Sequence, residues 1–180
     1  RGILVQQGYG LTETAAMATA LSSEWAVSKI GSVGVSPLLT DVRILAADGR
    51  EVTQPQERGE VCVRGMNVTR GYWNQPEATR HAIGDDHWFR TGDVGYFDEQ
   101  GFYYICDRVK DMIISGGENV YPAEVESVLY AHPAVAEVAV IGAPDPQWDE
   151  AVVAVVALKP GSSLTLDEMR EFTGERLARY

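Results

Sequence analysis

The sequence predicts an α/β fold that passes into α+β, and three observations point that way. The opening apolar triplet Ile3-Leu4-Val5 runs into the glycine-bracketed string Gln6-Gln7-Gly8-Tyr9-Gly10, as a buried parallel strand does when it delivers a ligand loop at its carboxyl end. From residue 28 to about 71 the chain breaks into short β segments cut by turns, the texture of a small barrel or sandwich. Beyond residue 110, helix starts alternate with apolar strand patterns.

Composition narrows the function. With 45% hydrophobic residues, 180 residues can build a genuine core, as one large domain or parts of two. The net charge of −11 argues against nucleic acid or an anionic membrane as partner, since both call for clustered Lys and Arg. A nucleotide bound here would be held by backbone N–H groups, a few basic residues and a metal ion. Cys62 and Cys106 make no disulfide framework and sit in no metal-ligand spacing, so a reducing, cytoplasmic setting is expected. No apolar run approaches a membrane span, and no charged-then-apolar leader opens the sequence. The strand pattern at Ile3–Val5 lacks a preceding element, so the chain is expected to be a piece of something longer.

The turn after that strand carries Tyr9, Gly10, Leu11, Thr12, Glu13 and Thr14. Here the ring of Tyr9 can stack on a base, Thr12 can donate to a phosphate, and Glu13 can hold a magnesium ion that bridges phosphates. The same residues also fit a plain strand-to-helix turn, with Thr12 as N-cap and Glu13 facing the helix dipole. Next, Lys29 to Leu39 is rich in Gly, Ser and Val, and Val42 and Ile44 share a strand face. Asp48-Gly49 marks a hairpin turn, and Val61 and Val63 alternate within Gly59–Gly65. Arg43, Arg58 and Arg64 read as exposed partners on strand faces. Tyr72-Trp73 reads as packing at a barrel exit, and Pro76-Glu77 as a helix start.

Asp93 closes the string His87-Trp88-Phe89-Arg90-Thr91-Gly92-Asp93. On a tight turn its carboxylate suits the two hydroxyls of a ribose, the logic of dinucleotide folds, although an ordinary turn aspartate fits as well. His87 reads as a surface or packing residue.

Cys106 to Glu124 then holds four charges (Asp107, Arg108, Lys110, Asp111), the apolar Met112-Ile113-Ile114, and Ser115-Gly116-Gly117, which reads as a hinge ending in a turn, although an ordinary surface connection between a strand and a helix fits as well. Pro122 opens a helix with Val125, Val128 and Leu129 at core spacing, closed near His132-Pro133. Residues 135–141 and 151–158 read as strands, the second apolar enough to be covered on both faces. The polar loop between them is anchored by Trp148. Thr165 to Glu168 forms a capping box, and Leu166, Met169, Phe172 and Leu177 stripe the helix after it.

Taken in order, Y-G-L-T-E, R-T-G-D, D-R-V-K-D and S-G-G-E-N-V-Y-P-A-E resemble the signatures of the adenylate-forming superfamily, in its fatty-acyl and aryl-CoA synthetase branch. The resemblance implies a carboxy-terminal fragment. Residues 1–109 would end the large nucleotide-binding amino-terminal domain, with the last strand of a sheet and a small distorted β-barrel at about 28–106. Residues 110–180 would form an incomplete, mobile α+β carboxy-terminal domain.

By the same resemblance Tyr9, bracketed by Gly8 and Gly10, flanks adenine, Thr12 meets the α-phosphate and Glu13 binds magnesium. Asp93 takes the ribose, Arg108 the ribose and phosphate region, Lys110 the pivot of the small domain, and Gly116 and Gly117 the pantetheine route. The pivot is often Asp in such proteins, and Lys110 departs from that. The implied activity joins a carboxylic acid to ATP, giving an acyl-adenylate, and passes the acyl group to coenzyme A. ATP/AMP, Mg2+ and coenzyme A are the implied cofactors. The segment by itself is expected to be inactive, because the family's phosphate-gripping loop and late lysine do not occur in it. It is also expected to self-associate through its edges. Two other readings are a non-catalytic AMP-binding or interaction module, and an adenylation domain of the peptide-synthetase or luciferase type.

Overall fold

The computed structural model describes residues 2–177. Arg1 and residues 178–180, where the outer bounds of the two expected domains fall, lie outside the described residues. The chain divides into two compact units, Arg1–Cys106 and Asp107–Tyr180.

The first unit is built of antiparallel strands. A short hairpin pairs β1 (Gln7–Tyr9) with β2 (Thr19–Leu21). The main sheet is a meander of β3 (Thr40–Leu45), β4 (Gly59–Gly65), β5 (Phe89–Phe97) and β6 (Tyr103–Arg108), in that spatial order. Helix α1 (Pro76–Ala82) connects β4 to β5, with Pro76 in its first turn as expected. Alternation along β3 and β4 decides which side chains go to which face. Ile44 and Val61 pack with Val52 on one side, and Leu45 and Cys62 pack with Trp88 on the other. Burying each large aliphatic stabilises the sheet by about 1.5–3 kcal/mol. The Asp48-Gly49 turn closes as expected, with Gly49 N–H bonded to Ala46 C=O at 2.9 Å.

Three expectations for this unit are corrected. Ile3, Leu4 and Val5 form no strand and are 77%, 83% and 62% exposed. A buried parallel strand needs neighbours, and none is offered to this triplet among the described residues. The β-rich stretch is a curled open sheet, with no closed barrel among the described residues, because β3 and β6 end the strand order without pairing. The curl brings those ends close enough for the Tyr103 hydroxyl of β6 to donate to Val42 C=O of β3 at 2.9 Å. Residues 29–39 are mostly turns, with isolated bridges from Val35 to Ala20 and from Gly34 to Tyr103.

Arg43 and Arg64 do face outward from neighbouring strands, but they also clasp Trp88. Their guanidinium carbons lie 4.2 and 4.6 Å from its ring, while Asp86 and Asp41 hold the charged ends.

The second unit carries a four-stranded antiparallel sheet in the order β8 (Glu118–Val120), β7 (Ile113–Ser115), β10 (Asp149–Leu158), β9 (Val135–Asp145). Helices α2 (Pro122–Tyr130) and α3 (Leu166–Gly174) accompany it. Ile113, Leu129 and Val140 form the core, joined by Val125, Ala154 and Met169. The capping box of α3 forms as expected. Glu168 N–H donates to Thr165 Oγ1, while the Glu168 carboxylate accepts from Thr165 N–H at 2.8 Å.

One expectation changes here as well. Strand β10 is covered on one face only. Val153 and Val155 stay 38% and 58% exposed, while Ala154 between them joins the core. Trp148 sits half exposed in the tight turn between β9 and β10, where its C=O accepts Gly116 N–H at 2.8 Å.

Candidate functional site

Tyr9, at the end of β1, is half-buried against the cluster around Ile44, Val52 and Val61. Its hydroxyl donates to Asp93 Oδ2 at 2.6 Å. Burial, and then the bond to the Asp93 carboxylate, pushes the phenol well above its ordinary 10.0. The ring therefore enters the site as a neutral donor.

Asp93 stands differently from the expected tight turn. Thr91-Gly92-Asp93 lies within β5, where the ladder shifts register between the pairs Glu60–Val94 and Cys62–Arg90. Thr91, Gly92 and Asp93 thus face the single residue Val61, and Gly92 takes φ +73° to make the bulge. The bulge is tied internally. The Thr91 hydroxyl donates to Val61 C=O at 2.8 Å, and Asp93 N–H donates to Thr91 Oγ1 at 3.0 Å. A bulge re-aims side chains, and this one turns Asp93 toward Tyr9.

Thr12, Glu13 and Thr14 form one 3-10 turn. Leu11, rather than the expected Thr12, is its N-cap residue. The Thr14 hydroxyl, fully buried, closes the turn by accepting Leu11 N–H at 2.9 Å and donating to Leu11 C=O at 3.1 Å. Thr12 is left exposed on the outside of the turn. Gly8 lies in β1 and Gly10 just after it, where a Cβ would strike the Ala16 main chain.

The turn is braced by residues 67–72, of which Tyr72 reads from sequence as mere packing. Thr69 N–H donates to Glu13 C=O at 2.7 Å, and the Tyr72 hydroxyl donates to Glu13 Oε1 at 2.8 Å. Asn67 Nδ2 donates to the carbonyls of Thr14 at 3.2 Å and Met17 at 2.7 Å. Tyr72 and Asn67 were missed because nothing local in residues 65–73 signals a carboxylate partner more than fifty positions away. Trp73, read as packing, is instead 96% exposed.

The remaining candidates lie in the second unit, which takes in the last two residues of β6. Arg108 ends β6, exposed, and its N–H is held by Asp107 Oδ1 at 2.8 Å. Lys110 is the exposed middle residue of a 3-10 turn, Val109–Asp111. Gly116 and Gly117 are the two central residues of the β7–β8 hairpin, with φ +59° and +86°, as a type I′ turn requires. Gly116 borders a groove of about 550 Å³ lined by Ser115, Glu118, Trp148 and Val152.

Among the described residues no group of three or more His, Cys, Asp or Glu is placed to hold a metal ion. Glu13 is a single carboxylate, which suits the way magnesium is bound by one or two carboxylates together with substrate phosphates and water. No helix among the described residues is long and apolar enough to cross a membrane.

Comparison with known proteins matches residues 1–73 to the AMP-binding enzyme family and residues 124–180 to the AMP-binding enzyme C-terminal domain. A 2-succinylbenzoate–CoA ligase of Geobacillus kaustophilus is 49% identical over 180 residues, spanning 100% of this chain and 36% of the ligase. The long-chain-fatty-acid–CoA ligase FadD13 of Mycobacterium tuberculosis is 49% identical over 100% of this chain and 35% of its own length. Among solved structures, o-succinylbenzoate CoA synthetase from Bacillus subtilis, in complex with its acyl-adenylate intermediate, superposes with a TM-score of 0.88. That match is 43% identical and covers 99% of this chain and 36% of the synthetase. The same enzyme in complex with ATP and magnesium ion gives a TM-score of 0.83 at 43% identity, covering 97% of this chain and 35% of that one. The chain thus spans about a third of the length of the relatives it matches.

Proposed function

Since the chain belongs to the AMP-binding enzyme family, we propose that it supplies nucleotide- and metal-binding parts of an AMP-forming acid–CoA ligase. In that reaction a substrate carboxylate attacks the α-phosphorus of ATP. The bond to the β-phosphate breaks, and acyl-adenylate and pyrophosphate result. The thiol of coenzyme A then attacks the acyl carbon, and AMP departs with the electron pair of the broken bond.

The observation that carries this reading is the Tyr9–Asp93 bond. It joins an aromatic suited to a base and a carboxylate suited to a ribose, residues 84 positions apart. In the proposed site the Tyr9 ring lies beside adenine and Asp93 accepts from ribose hydroxyls. Thr12, exposed on its turn, donates to the α-phosphate. Glu13 holds magnesium, which would neutralise charge developing on the phosphates. Arg108 adds charge near the ribose and phosphate, Lys110 serves as pivot, and the Gly116-Gly117 turn lets pantetheine pass close to backbone. Fixing the nucleotide at base, ribose and phosphate holds the α-phosphorus in line for attack, the positioning on which phosphoryl chemistry depends. The relatives act on succinylbenzoate, ferulate and long-chain fatty acids, so an aryl or fatty carboxylic acid is the proposed substrate class.

The test is acid-dependent ATP–pyrophosphate exchange, measured on a protein of the relatives' length carrying this segment, with Asp93→Ala beside the wild type. Exchange that Asp93→Ala weakens through the KM for ATP supports the reading. Nucleotide binding without exchange, for every aryl and fatty acid tried, would instead favour a non-catalytic AMP-binding module.

A further inference from the structure

The Glu13 carboxylate is held from a segment that the function above does not use. Residues 67–72 grip the Thr12–Thr14 turn on its main chain, through Thr69 N–H on Glu13 C=O and Asn67 Nδ2 on the carbonyls of Thr14 and Met17. The same segment reaches the Glu13 side chain, through the Tyr72 hydroxyl on Oε1 at 2.8 Å. One stretch of chain therefore fixes both where Glu13 stands and which way its carboxylate points.

Tyr72 is itself anchored. Its N–H donates to Thr79 Oγ1 at 2.9 Å, and that hydroxyl donates to Gln75 C=O at 2.9 Å, tying the tyrosine to the first turns of α1. The support behind the phenol is thus a helix start and not a free loop.

From this arrangement we propose that Tyr72 is a positioning residue for the metal carboxylate, orienting Glu13 so that Oε2 is presented to a divalent cation bound with the nucleotide. The proposal rests on the reading of Glu13 as the magnesium residue. A long, half-exposed acidic side chain samples several rotamers when nothing holds it, and that freedom is lost when a cation binds. A hydrogen bond to Oε1 removes that freedom beforehand without adding a competing charge. Tyr72 suits the task because a phenolic hydroxyl is an uncharged donor near neutral pH, and here it is aimed at Oε1. Outer partners of this kind typically change metal affinity by about tenfold or more when removed.

The experiment compares wild type, Tyr72→Phe and Glu13→Gln in a protein of the relatives' length carrying this segment. Mn2+ affinity in the presence of ATP is read by paramagnetic resonance, ATP affinity without divalent cation by calorimetry, and the thermal midpoint by circular dichroism. The expected result is a roughly tenfold weaker Mn2+ affinity in Tyr72→Phe, a larger loss in Glu13→Gln, and cation-free ATP affinity unchanged in Tyr72→Phe. Loss in Glu13→Gln with none in Tyr72→Phe overturns the positioning role and leaves the Glu13 reading intact. No loss in Glu13→Gln overturns both. A Tyr72→Phe protein whose cation-free ATP affinity and thermal midpoint fall together with its Mn2+ affinity overturns the proposal in favour of a purely structural brace.

Discussion

Tyr9 and Asp93 form one bonded pair, hydroxyl to carboxylate at 2.6 Å, although 84 positions separate them in the chain. The pair ties the β1–β2 hairpin to the bulge in β5, so it bears on stability as well as on the proposed nucleotide site. Tyr9→Phe keeps the ring and removes the bond. Losing a hydrogen bond to a charged acceptor should lower stability by about 1.5–3 kcal/mol.

The same pair predicts an alkaline effect. Because the folded phenol lies above the unfolded value of 10.0, its contribution is complete below pH 10. It shrinks as pH climbs beyond 10, where the unfolded chain releases the proton that the folded chain retains. Urea unfolding between pH 8 and pH 11 should therefore fall less steeply in Tyr9→Phe than in wild type. Equal slopes would mean that Asp93 does not hold Tyr9 in solution.

Asp98 supports the far end of the same sheet. Lys29 Nζ lies 2.5 Å from its Oδ2, with the two side chains 14% and 13% exposed, and the N–H groups of Gln100 and Phe102 donate to Oδ1. Burial pushes this carboxyl up, but the Lys29 bond and the two backbone donors outweigh it, and the net shift is below 3.8. The stabilisation is thus present above pH 4 and is lost as pH falls below that value. Asp98→Ala should cost about 3 kcal/mol by stranding the Lys29 charge. It should also flatten the acid limb of a stability–pH profile, and an unchanged limb would rule the pair out as its source.

Gly116 and Gly117 separate two effects in one turn. Gly117 has open space where a Cβ would sit, so Gly117→Ala should cost only the left-handed backbone strain, about 1–2 kcal/mol. A Cβ on Gly116 would lie 2.8 Å from the Trp148 ring, so Gly116→Ala should cost more. Chemical unfolding of both variants, repeated in a Trp148→Ala background, checks this, since the difference should close once the ring is gone. A difference that persists would place the extra cost elsewhere.

The 180-residue chain should self-associate. Leu38, Met66 and Trp73 are 91%, 90% and 96% exposed in addition to Ile3–Val5, and apolar side chains this open are available to pair between copies. Light scattering should give a mass that rises with concentration, and Leu38→Ser with Trp73→Ser should reduce it. A constant monomer mass in the parent chain would refute the expectation.

Much of the local structure was legible. Pro76, Pro122 and the Thr165–Glu168 box start helices, and Asp48-Gly49 and Gly116-Gly117 make turns, because each is decided by backbone angles or caps within four or five residues. Strand faces were legible too, since alternation alone sends Ile44 and Val61 to one side and Leu45 and Cys62 to the other. Failures came where a partner was required. Ile3–Val5 has the composition of a buried strand and, among the described residues, no neighbour to bury it, and β10 is apolar from Ala151 on yet covered on one face.

What the sequence determined unaided is the chain's family, together with a first set of candidate residues, because ordered motifs survive as strings of residues. What tertiary structure alone decided is who meets whom. The register shift opposite Val61 aims Asp93 at Tyr9, and residues 67–72 bring Tyr72 to Glu13. Both contacts depend on how strands far apart in the chain pair and curl, and no pattern within a single segment encodes that.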